Sequence, residues 1–367
     1  MALIIVLATC ILLTILKDVY LLRRIKDFVR PAKTKPSDDL PFVSILVAAR
    51  NEESTIERCL EGLARQKYPE DKIEILVGND GSEDRTLEVA RKYGARDSRI
   101  EIYDIDKLVV DDYGKMNVLV QLIAHAKGDI LLFTDADTQA NPQWTMQMTT
   151  ALQAGYGVVT GVTLMDAKRM MDKFQYIDWL QAQAMVKVLE DSGTRVTSLG
   201  NNMGVTREAY EAVGGFEGVS FSITEDYELY CAIIDHGFAP LHIYAIEAMG
   251  ITLPMPSTGA LLEQRKRWMY GVVKLPFQIV LFLLLNALFI PVLILLIFVS
   301  PMIGIGLGIL RFLIQVQFFN KLQRLLHSRL SLFWLFPFEF YQSFINLTTL
   351  IYFLSPLKAT WKGRAFN

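Results

Sequence analysis

Several acidic and amide side chains stand directly after short apolar runs of the sequence. Asn51 and Glu52 follow the first run, Asp80 follows the second, and Asp135 and Asp137 follow a later one. Carboxylate oxygens are the ligands that hard divalent cations such as Mg²⁺ and Mn²⁺ prefer, and these cations often bridge to phosphates. The aspartate pair therefore indicates a metal site that binds a phosphate-bearing molecule.

Asp135 and Asp137 are separated by one residue, so in an extended backbone both side chains point to the same side. Two carboxylates this close repel each other unless a cation lies between them. The alternative is a solvated turn, in which aspartate is common. The apolar run before the pair, and Asp80 at the matching position of its own run, favour the metal site.

The elements that must hold these side chains alternate along the chain. Short apolar runs rich in β-branched residues predict strands, and a stretch with helical spacing follows each of the first three. The predicted strands are 43–48, 73–77, 100–105 and 130–133, and the predicted helices are 54–67, 82–93 and 114–125. This alternation implies an α/β fold with a mainly parallel sheet, whose ligands bind beyond the carboxyl ends of the strands.

The first predicted helix has a start signal of its own. Ser54 and Glu57 have the spacing of a capping box, in which each side chain accepts a hydrogen bond from a backbone N–H of the first turn. We therefore expect the helix to begin at Ser54. Gly94 is placed to end the second helix.

Two further segments carry ionisable side chains with more than one explanation. Lys115 follows Gly114 at a predicted helix start, and it either contacts phosphate or is a surface lysine. Thr224 either caps a helix whose N-terminus Glu225 and Asp226 favour electrostatically, or Asp226 is a general base for an attacking hydroxyl. Spacing alone leaves both choices open.

A basic and aromatic segment, Gln264-Arg265-Lys266-Arg267-Trp268, stands shortly before a long apolar region. Tryptophan and basic residues at such a boundary are common as anchors at the membrane–water interface. The segment is equally suited to lining a ligand site beside the membrane.

The composition separates a charged middle from two apolar ends. Hydrophobic residues make up 52% of the 367 residues, and the mean hydropathy is +0.29. An apolar stretch at the N-terminus predicts a membrane anchor. Basic residues follow it and indicate that the next domain lies in the cytoplasm; they are Arg23, Arg24, Lys26, Arg30, Lys33 and Lys35.

The C-terminal apolar region is long enough for more than one membrane span. A break near Pro291 or Pro301 is compatible with a tilted span or a tight hairpin, and the number of spans stays open. Residues 318–329 are amphipathic and basic, which predicts a helix at the membrane interface. Lys358, Lys362 and Arg364 indicate a cytoplasmic C-terminus.

Other classes of protein are disfavoured by composition. The three cysteines, Cys10, Cys59 and Cys231, are too far apart for a zinc site and odd in number for a disulfide framework. The four histidines are scattered as well. A net charge of −2 gives no basic signature for nucleic acid, and no phosphate loop of the ATPase type is present.

Taken in order, these motifs resemble those of the family 2 glycosyltransferases with a GT-A fold, over roughly residues 41–268. The segment 48–53 resembles their opening nucleotide-binding segment, and Asp80 resembles the acid that contacts the base. Gly114-Lys115 is similar to another donor-side segment. The remaining three motifs are similar to the DxD, TED and QxxRW motifs; they are Asp135-Ala136-Asp137, Thr224-Glu225-Asp226 and the segment from Gln264 to Trp268.

The resemblance implies a role for each of these residues. Asp226 would be the catalytic base of an inverting transfer. Asp135 and Asp137 would bind a divalent cation, Mg²⁺ or Mn²⁺. Glu225 and Trp268 would contact the acceptor. The donor would be bound by Ala48, Asn51, Glu52, Asp80, Lys115, Asp135, Gln264 and Arg267.

The partners implied are a UDP-sugar donor, a membrane lipid acceptor and the bilayer, in an inner or plasma membrane and a bacterial source. Transfer of one sugar, a hexose, to a lipid hydroxyl is preferred because the membrane region is short for a polymer channel. A processive synthase of the cellulose or hyaluronan type is the alternative. A membrane scaffold with an inert nucleotide-binding domain is an alternative of another class.

The predicted domains follow from these patterns. We expect an N-terminal transmembrane anchor over 1–24, a cytoplasmic GT-A catalytic domain over 40–255 and an interfacial helix over 256–274. A C-terminal membrane region over 275–357 and a cytoplasmic tail over 358–367 complete the chain.

Overall fold

The computed structural model divides the chain into two compact units, each described by itself. The sheet unit comprises Arg30–Leu164 and Thr197–Leu253, and the helical unit comprises Met1–Val29, Met165–Val196 and Pro254–Asn367. The structure describes residues 1–25, 28, 39–105, 107–109, 114–196, 199–219, 224–356, 359–361 and 364–366.

The helices and strands alternate through the sheet unit, whereas helices predominate in the helical unit. The helices are α1 (Ala2–Arg24), α2 (Ile56–Ala64), α3 (Thr86–Gly94), α4 (Lys115–His125), α5 (Trp144–Gln153), α6 (Met170–Asp191), α7 (Arg207–Ala212), α8 (Glu225–Asp235), α9 (Thr258–Val272), α10 (Phe277–Ala287), α11 (Phe289–Val299), α12 (Pro301–Leu325) and α13 (Leu335–Leu354). The strands are β1 (Val43–Ala49), β2 (Ile73–Asn79), β3 (Ile100–Asp104), β4 (Ile130–Asp135), β5 (Gln139–Ala140), β6 (Tyr156–Gly161), β7 (Thr163–Met165), β8 (Asn202–Thr206), β9 (Ala239–Ile243), β10 (Gly250–Thr252), β11 (Ala359–Trp361) and β12 (Arg364–Phe366).

The central sheet of the sheet unit has the strand order β3-β2-β1-β4-β8-β6-β9. The first four of these strands pair in parallel, as do β6 and β9, while β8 is antiparallel to both of its neighbours. The predicted α/β fold with a mainly parallel sheet is confirmed. Within this pairing, Ala48 of β1 lies opposite both Gly78 of β2 and Asp135 of β4, so the three strands end at one edge.

Both faces of the sheet are covered, because alternate residues of each strand point to opposite sides. Val43, Ile45 and Val47 of β1 belong to a buried cluster with α2 and α5, and Leu46 belongs to another with α4 and α8. At Gly78 a Cβ atom would lie 2.3 Å from Val118 of α4, so glycine is what allows α4 to pack this closely on β2. A rigid sheet thereby holds the loops at its edge.

The capping box predicted at Ser54 is wrong. Helix α2 begins at Ile56, and Thr55 stands at its cap without a side-chain hydrogen bond to the first turn. The hydroxyl of Thr55 instead donates to Glu52 Oε2 at 2.6 Å. The Thr55 hydroxyl therefore bonds within the loop after β1 and not to the first turn of α2.

Two helices of the helical unit are long and apolar enough to cross a membrane, α1 and α12. A third span is possible in length and composition if α10 and α11, which are bent by 58° at their junction, act together. The break comes at Leu288, three residues before the predicted one at Pro291. Pro301 does separate two helices, since it begins α12.

The separate interfacial helix predicted over 318–329 is wrong. Its helical part is the last two turns of α12, which continues to Leu325 before a loop begins. Two predicted features lie partly outside the described residues. They are the basic run after α1, at Lys26, Arg30, Lys33 and Lys35, and the tail, at Lys358 and Lys362.

A buried ionic cluster joins three helices of the helical unit. Arg311 of α12, 1% exposed, pairs with Glu339 of α13 and lies 3.2 Å from Asp18 of α1. Its guanidinium also donates to Asn286 at 2.9 Å, and Gln315 donates at 2.8 Å to Asp18 Oδ2, the oxygen that faces Arg311. Charges within apolar helices are tolerated only where they are paired and hydrogen-bonded, so this cluster fixes how the helices pack.

Replacing Arg311 with methionine should strongly destabilise the helical unit. The change removes the buried cation that Glu339 and Asp18 share and leaves Asp18 paired with Lys17, a loss of about 3–5 kcal/mol. The unfolding temperature of the detergent-solubilised chain measures it. In the matched control Arg85→Met, an exposed pair with Glu53 is removed, at a cost of at most about 1 kcal/mol.

A triple variant separates charge from packing. Asp18→Asn, Arg311→Met and Glu339→Gln together remove the buried cation and both carboxylates and leave Lys17, which is 17% exposed and donates to Asn286, so this variant should be more stable than Arg311→Met alone. Equal instability of the two would show that the cluster acts through packing and not through its charges.

Candidate active site

The loops that follow β1 and β2 are joined by backbone and side-chain hydrogen bonds. The backbone N–H of Asn51 donates to Ser82 Oγ at 3.0 Å, and Asn51 Oδ1 accepts from the N–H of Glu83 at 2.9 Å. Asn51 itself has a φ of +51°, a left-handed conformation that asparagine tolerates better than most residues. Arg50 donates to the carbonyl oxygen of Asp80 at 2.6 Å. The structure therefore brings Asn51 and Asp80 to one edge.

Asp135 and Asp137 are close, although not for the predicted reason. Asp135 is the last residue of β4, and Asp137 lies in a turn closed by a hydrogen bond from Thr138 N–H to the Asp135 carbonyl oxygen at 3.0 Å. The extended backbone that we expected through Asp137 is wrong. The turn nevertheless keeps the two carboxylates near enough to repel each other.

That repulsion shows in the titration of Asp137. Burial raises the pKa of Asp137 to about 6, and the charges of Asp135 and Glu52 add to the rise. The same three carboxylates, after burial, raise the pKa of the Cys59 thiol beneath them. Negative charge is thus concentrated at this edge, and a bound cation would relieve it.

Asp135 and Asp137 could supply part of the ligands of a divalent cation. Asp135 and Asp137 offer carboxylate oxygens, which Mg²⁺ and Mn²⁺ favour. In the part of the chain that the structure describes, no group of three or more histidine, cysteine, aspartate and glutamate side chains could hold a metal by itself. Phosphate oxygens and water would have to complete the coordination, as is common for Mg²⁺.

Lys115 links the aspartate pair to the acidic start of α8. Its Nζ donates to Asp135 Oδ1 at 2.6 Å and lies 3.7 Å from Glu225 Oε1. Burial lowers the pKa of Lys115, but the charges of Asp135, Glu225 and Asp226 outweigh burial and raise it overall. The side chain is therefore a permanent cation of the site and not a surface lysine.

Glu225 and Asp226 stand in the first turn of α8, with Thr224 at the cap but without a side-chain cap hydrogen bond. Burial raises the pKa of Glu225 to about 7, with Lys115 lowering it and Asp226 raising it. Burial also raises the pKa of Asp226, while Lys115 and two backbone N–H groups oppose the rise. Burial therefore favours the neutral form of Asp226, and Lys115 and the two N–H groups favour the ionised form.

Gly200 is a residue of the site that the sequence did not single out. Its N–H donates to Asp226 Oδ2 at 2.7 Å, and a Cβ atom at this position would lie 2.7 Å from the same oxygen. Only glycine allows the backbone to approach the carboxylate this closely. An isolated glycine more than twenty residues before the acidic segment gives no local signal of that contact.

Gln264, Arg267 and Trp268 lie on α9 of the helical unit, and their predicted roles stay predictions. The ring of Trp268 packs against that of Trp179 of α6, with ring centroids 4.9 Å apart. The side-chain oxygen of Gln264 is buried without a hydrogen-bond partner among the described residues.

Two of the three basic residues of this motif, Arg265 and Lys266, hold α9 in place, which the sequence did not predict. Arg265 pairs with Asp178 of α6 and donates to Asn346 of α13 at 2.8 Å. Lys266 donates to the carbonyl oxygens of Tyr352 and Ser355 at 3.1 and 3.2 Å. The two adjacent residues Arg265 and Lys266 therefore anchor α9 within the helical unit.

Comparison with protein families gives one match over most of the sheet unit and α9. The profile described as "Glycosyltransferase like family 2" matches residues 41–271, more than half of the chain. The match includes every residue that the sequence analysis assigned to the site.

Curated relatives support the same grouping. The chain is 28% identical to the probable glycosyltransferase YdaM of Bacillus subtilis over 64% of this chain and 56% of the relative. It is 26% identical to a beta-monoglucosyldiacylglycerol synthase of Trichormus variabilis over 66% and 52%, and 30% identical to a 4,4'-diaponeurosporenoate glycosyltransferase of Staphylococcus aureus over 55% and 53%. The chain thus spans about half the length of these relatives.

One solved structure shares the fold along nearly the whole chain. It is a mannosyltransferase from Pyrobaculum calidifontis in complex with GDP-Man and Mn²⁺, with a TM-score of 0.58 and 19% identity. The alignment covers 96% of this chain and 98% of that one. At this identity the likeness concerns the fold, which is the GT-A fold expected from the motifs.

Glu225→Gln should change how stability depends on pH. The Glu225 pKa rises from 4.5 to about 7 on folding, so the folded state holds this proton more tightly than the unfolded state. The stability that this bound proton adds to the folded state is present at low pH and is lost as the pH rises through about 7. From pH 5 to pH 8 the variant should gain about 1 kcal/mol or more relative to wild type.

The measurement is the unfolding temperature of both proteins at each pH. Glu88→Gln is the control, because Lys92 holds the pKa of that exposed carboxyl below its usual value. A difference between Glu225→Gln and wild type that is the same at pH 5 and pH 8 would contradict the raised pKa.

Proposed function

Because the chain belongs to the glycosyltransferase-like family 2, we propose that it transfers a sugar from a nucleotide-sugar donor to a hydroxyl group of a membrane lipid. The observation that carries the proposal is the convergence on Lys115 of Asp135, Glu225 and Asp226. Lys115 holds Asp135, the acid on the proposed phosphate side, close to Asp226, the candidate base. Such closeness is required in an enzyme whose donor and acceptor react at one point.

On the donor side, Asn51, Glu52 and Asp80 would bind the nucleoside. Their loops are fixed to each other by the hydrogen bonds that join residues 50–53 to residues 80–86, so they form a surface prepared before the donor arrives. Ala48 is short enough to leave room above the sheet edge. Gln264 and Arg267 would add contacts to the diphosphate, with Arg267 supplying positive charge.

On the acceptor side, Asp226 would act as the general base. It would take the proton of the acceptor hydroxyl as that oxygen bonds to the sugar C1 and the C1–O bond to the diphosphate breaks, with inversion at C1. Lys115 and the Gly200 N–H oppose the rise in the pKa of Asp226 that burial causes, and so favour its ionised form. Glu225 and Trp268 would contact the acceptor.

Asp135 and Asp137 would hold a divalent cation that neutralises charge on the leaving nucleoside diphosphate when bound. The crowding of these carboxylates with Glu52 supports this assignment. The Mn²⁺ and GDP-Man in the Pyrobaculum structure support a metal and a nucleotide-sugar donor. The UDP nucleotide of the donor rests on the resemblance of the motifs.

The lipid acceptor is supported by the relatives named for a glucosyldiacylglycerol and for 4,4'-diaponeurosporenoate. Two or three helices able to cross a membrane also suit a chain that works beside a bilayer. The basic last turn of α1, Arg23 and Arg24, favours a cytoplasmic sheet unit. We retain the proposed domain limits of 1–24, 40–255, 256–274, 275–357 and 358–367.

Asp226→Asn should abolish transfer while donor binding stays nearly unchanged. The amide cannot accept the proton, and general-base catalysis contributes about 10²–10⁴-fold to a rate. Membranes containing the protein are incubated with radiolabelled UDP-glucose, UDP-galactose, UDP-N-acetylglucosamine and GDP-mannose, and the products are partitioned. Label in the organic phase, absent from the variant, is expected.

The control for this assay is Asp235→Asn, at the other end of the same helix α8. Label in insoluble or high-mass material would favour the processive synthase. Full activity of Asp226→Asn would remove Asp226 as the base. No transfer from any donor by the wild type would favour the inert scaffold.

Chelation should stop transfer, and Mn²⁺ or Mg²⁺ should restore it. The metal concentration that restores transfer by the wild type should not restore transfer by Asp137→Asn, because this variant has lost one of the two carboxylate ligands. Asp166→Asn, which removes an aspartate outside the site, is the control. Undiminished transfer in the presence of EDTA would contradict the metal role of Asp135 and Asp137.

A further inference from the structure

The end of α12 and the loop after it form an open cavity of about 560 Å³. Arg324, His327 and Arg329 line it, together with the hydroxyls of Ser328 and Ser331. Its lining contains no carboxylate. Guanidinium groups combined with hydroxyl donors form the typical surroundings of a bound phosphate.

The charges that line the cavity are not neutralised by the protein. Arg324 and Arg329 are exposed, and within the described ranges neither forms an ion pair with an aspartate or glutamate. Lys321, one turn before Arg324, adds another positive charge to this end of α12. The cavity is therefore cationic, and an anion from outside the chain would satisfy it.

The wall of the cavity is held in place by specific contacts. Gln323 is buried, and its amide both donates to the Leu330 carbonyl oxygen at 3.0 Å and accepts from the Leu330 N–H. Tyr176 of α6 donates to Ser328 Oγ at 2.6 Å. His327 has a φ of +51°, a conformation that a non-glycine residue adopts only when its surroundings impose it. The loop is thus preorganised.

Apolar side chains exposed to the surroundings follow the cavity directly. Leu332, Phe333 and Phe336 are 37%, 71% and 62% exposed. Trp334 stands among them, with Lys173 Nζ 4.4 Å from its ring centroid. Because α12 is long enough to cross a membrane, its basic end and these rings have the composition of a membrane–water interface.

We propose that this cavity binds the phosphate group of an anionic phospholipid of the surrounding bilayer, with Arg324 and Arg329 contacting the phosphate. The acyl chains would lie along Leu332, Phe333 and Phe336. Phosphate alone would satisfy the charges, but it would leave the exposed apolar surface of Leu332, Phe333 and Phe336 uncovered, which is why we assign a lipid. This site is independent of the proposed sugar transfer.

The test uses the full chain reconstituted in phosphatidylcholine vesicles that contain a small fraction of photoactivatable phosphatidylglycerol. After illumination, labelling of the peptide 320–334 is quantified. Unlabelled phosphatidylglycerol should compete for this labelling. Additional phosphatidylcholine and inorganic phosphate at the same concentration should not, since the first lacks net negative charge and the second lacks acyl chains.

Arg324→Gln/Arg329→Gln should reduce the labelling at least about tenfold, since two charge-assisted hydrogen bonds are lost. Arg324→Lys/Arg329→Lys keeps both positive charges and should therefore retain a measurable part of the labelling. Arg91→Gln/Lys92→Gln is the matched control, because it removes two exposed positive charges from α3 and should leave labelling unchanged. Both arginines are exposed, so the unfolding temperature should not fall.

Three results would overturn the proposal. Equal labelling of wild type and Arg324→Gln/Arg329→Gln would show that these side chains do not hold the lipid. An equal loss in Arg91→Gln/Lys92→Gln would show attraction by overall charge alone. Competition by inorganic phosphate as effective as that by phosphatidylglycerol would make the cavity a site for free phosphate.

Discussion

One ammonium group determines the electrostatics of the sheet unit. Lys115 Nζ lies within 4 Å of carboxylates that are 90 residues apart in sequence, Asp135 and Glu225. Without that cation, the same burial that raises the pKa of Glu225 and Asp226 would leave several like charges together. Lys115 therefore makes it possible for a phosphate-side acid and a candidate base to share one site.

Parallel pairing explains why these groups meet at all. Strands β2, β1 and β4 run in the same direction and end in register, so the segments that follow them emerge at one edge. Neighbouring strands are about 4.8 Å apart, which sets the spacing between Asp80 and Asp135 at the order of 10 Å. The glycines at 78 and 200 then let α4 and Asp226 approach the backbone closely. The geometry of the candidate site is a consequence of strand order and small residues.

The helical unit obeys a different constraint, because its charges must be satisfied inside apolar helices. Arg311 pairs with Asp18 and Glu339, and Arg265 pairs with Asp178. Each pair joins helices that are distant in sequence. At the end of α12, in contrast, positive charges remain open to the surroundings, where a bilayer supplies phosphate.

The sequence by itself determined the α/β alternation, the membrane-compatible ends and the acidic residues at strand ends, because hydrophobic periodicity and residue type are local properties. It did not determine the turn at Asp137, the start of α2 at Ile56, or the continuation of α12 through the predicted interfacial helix. Those depend on which group takes up a hydrogen bond and not on residue spacing alone, as Glu52, three residues away, does for the Thr55 hydroxyl. The contact of Gly200 with Asp226, and the cation that joins two motifs, exist only once the sheet has brought remote segments together.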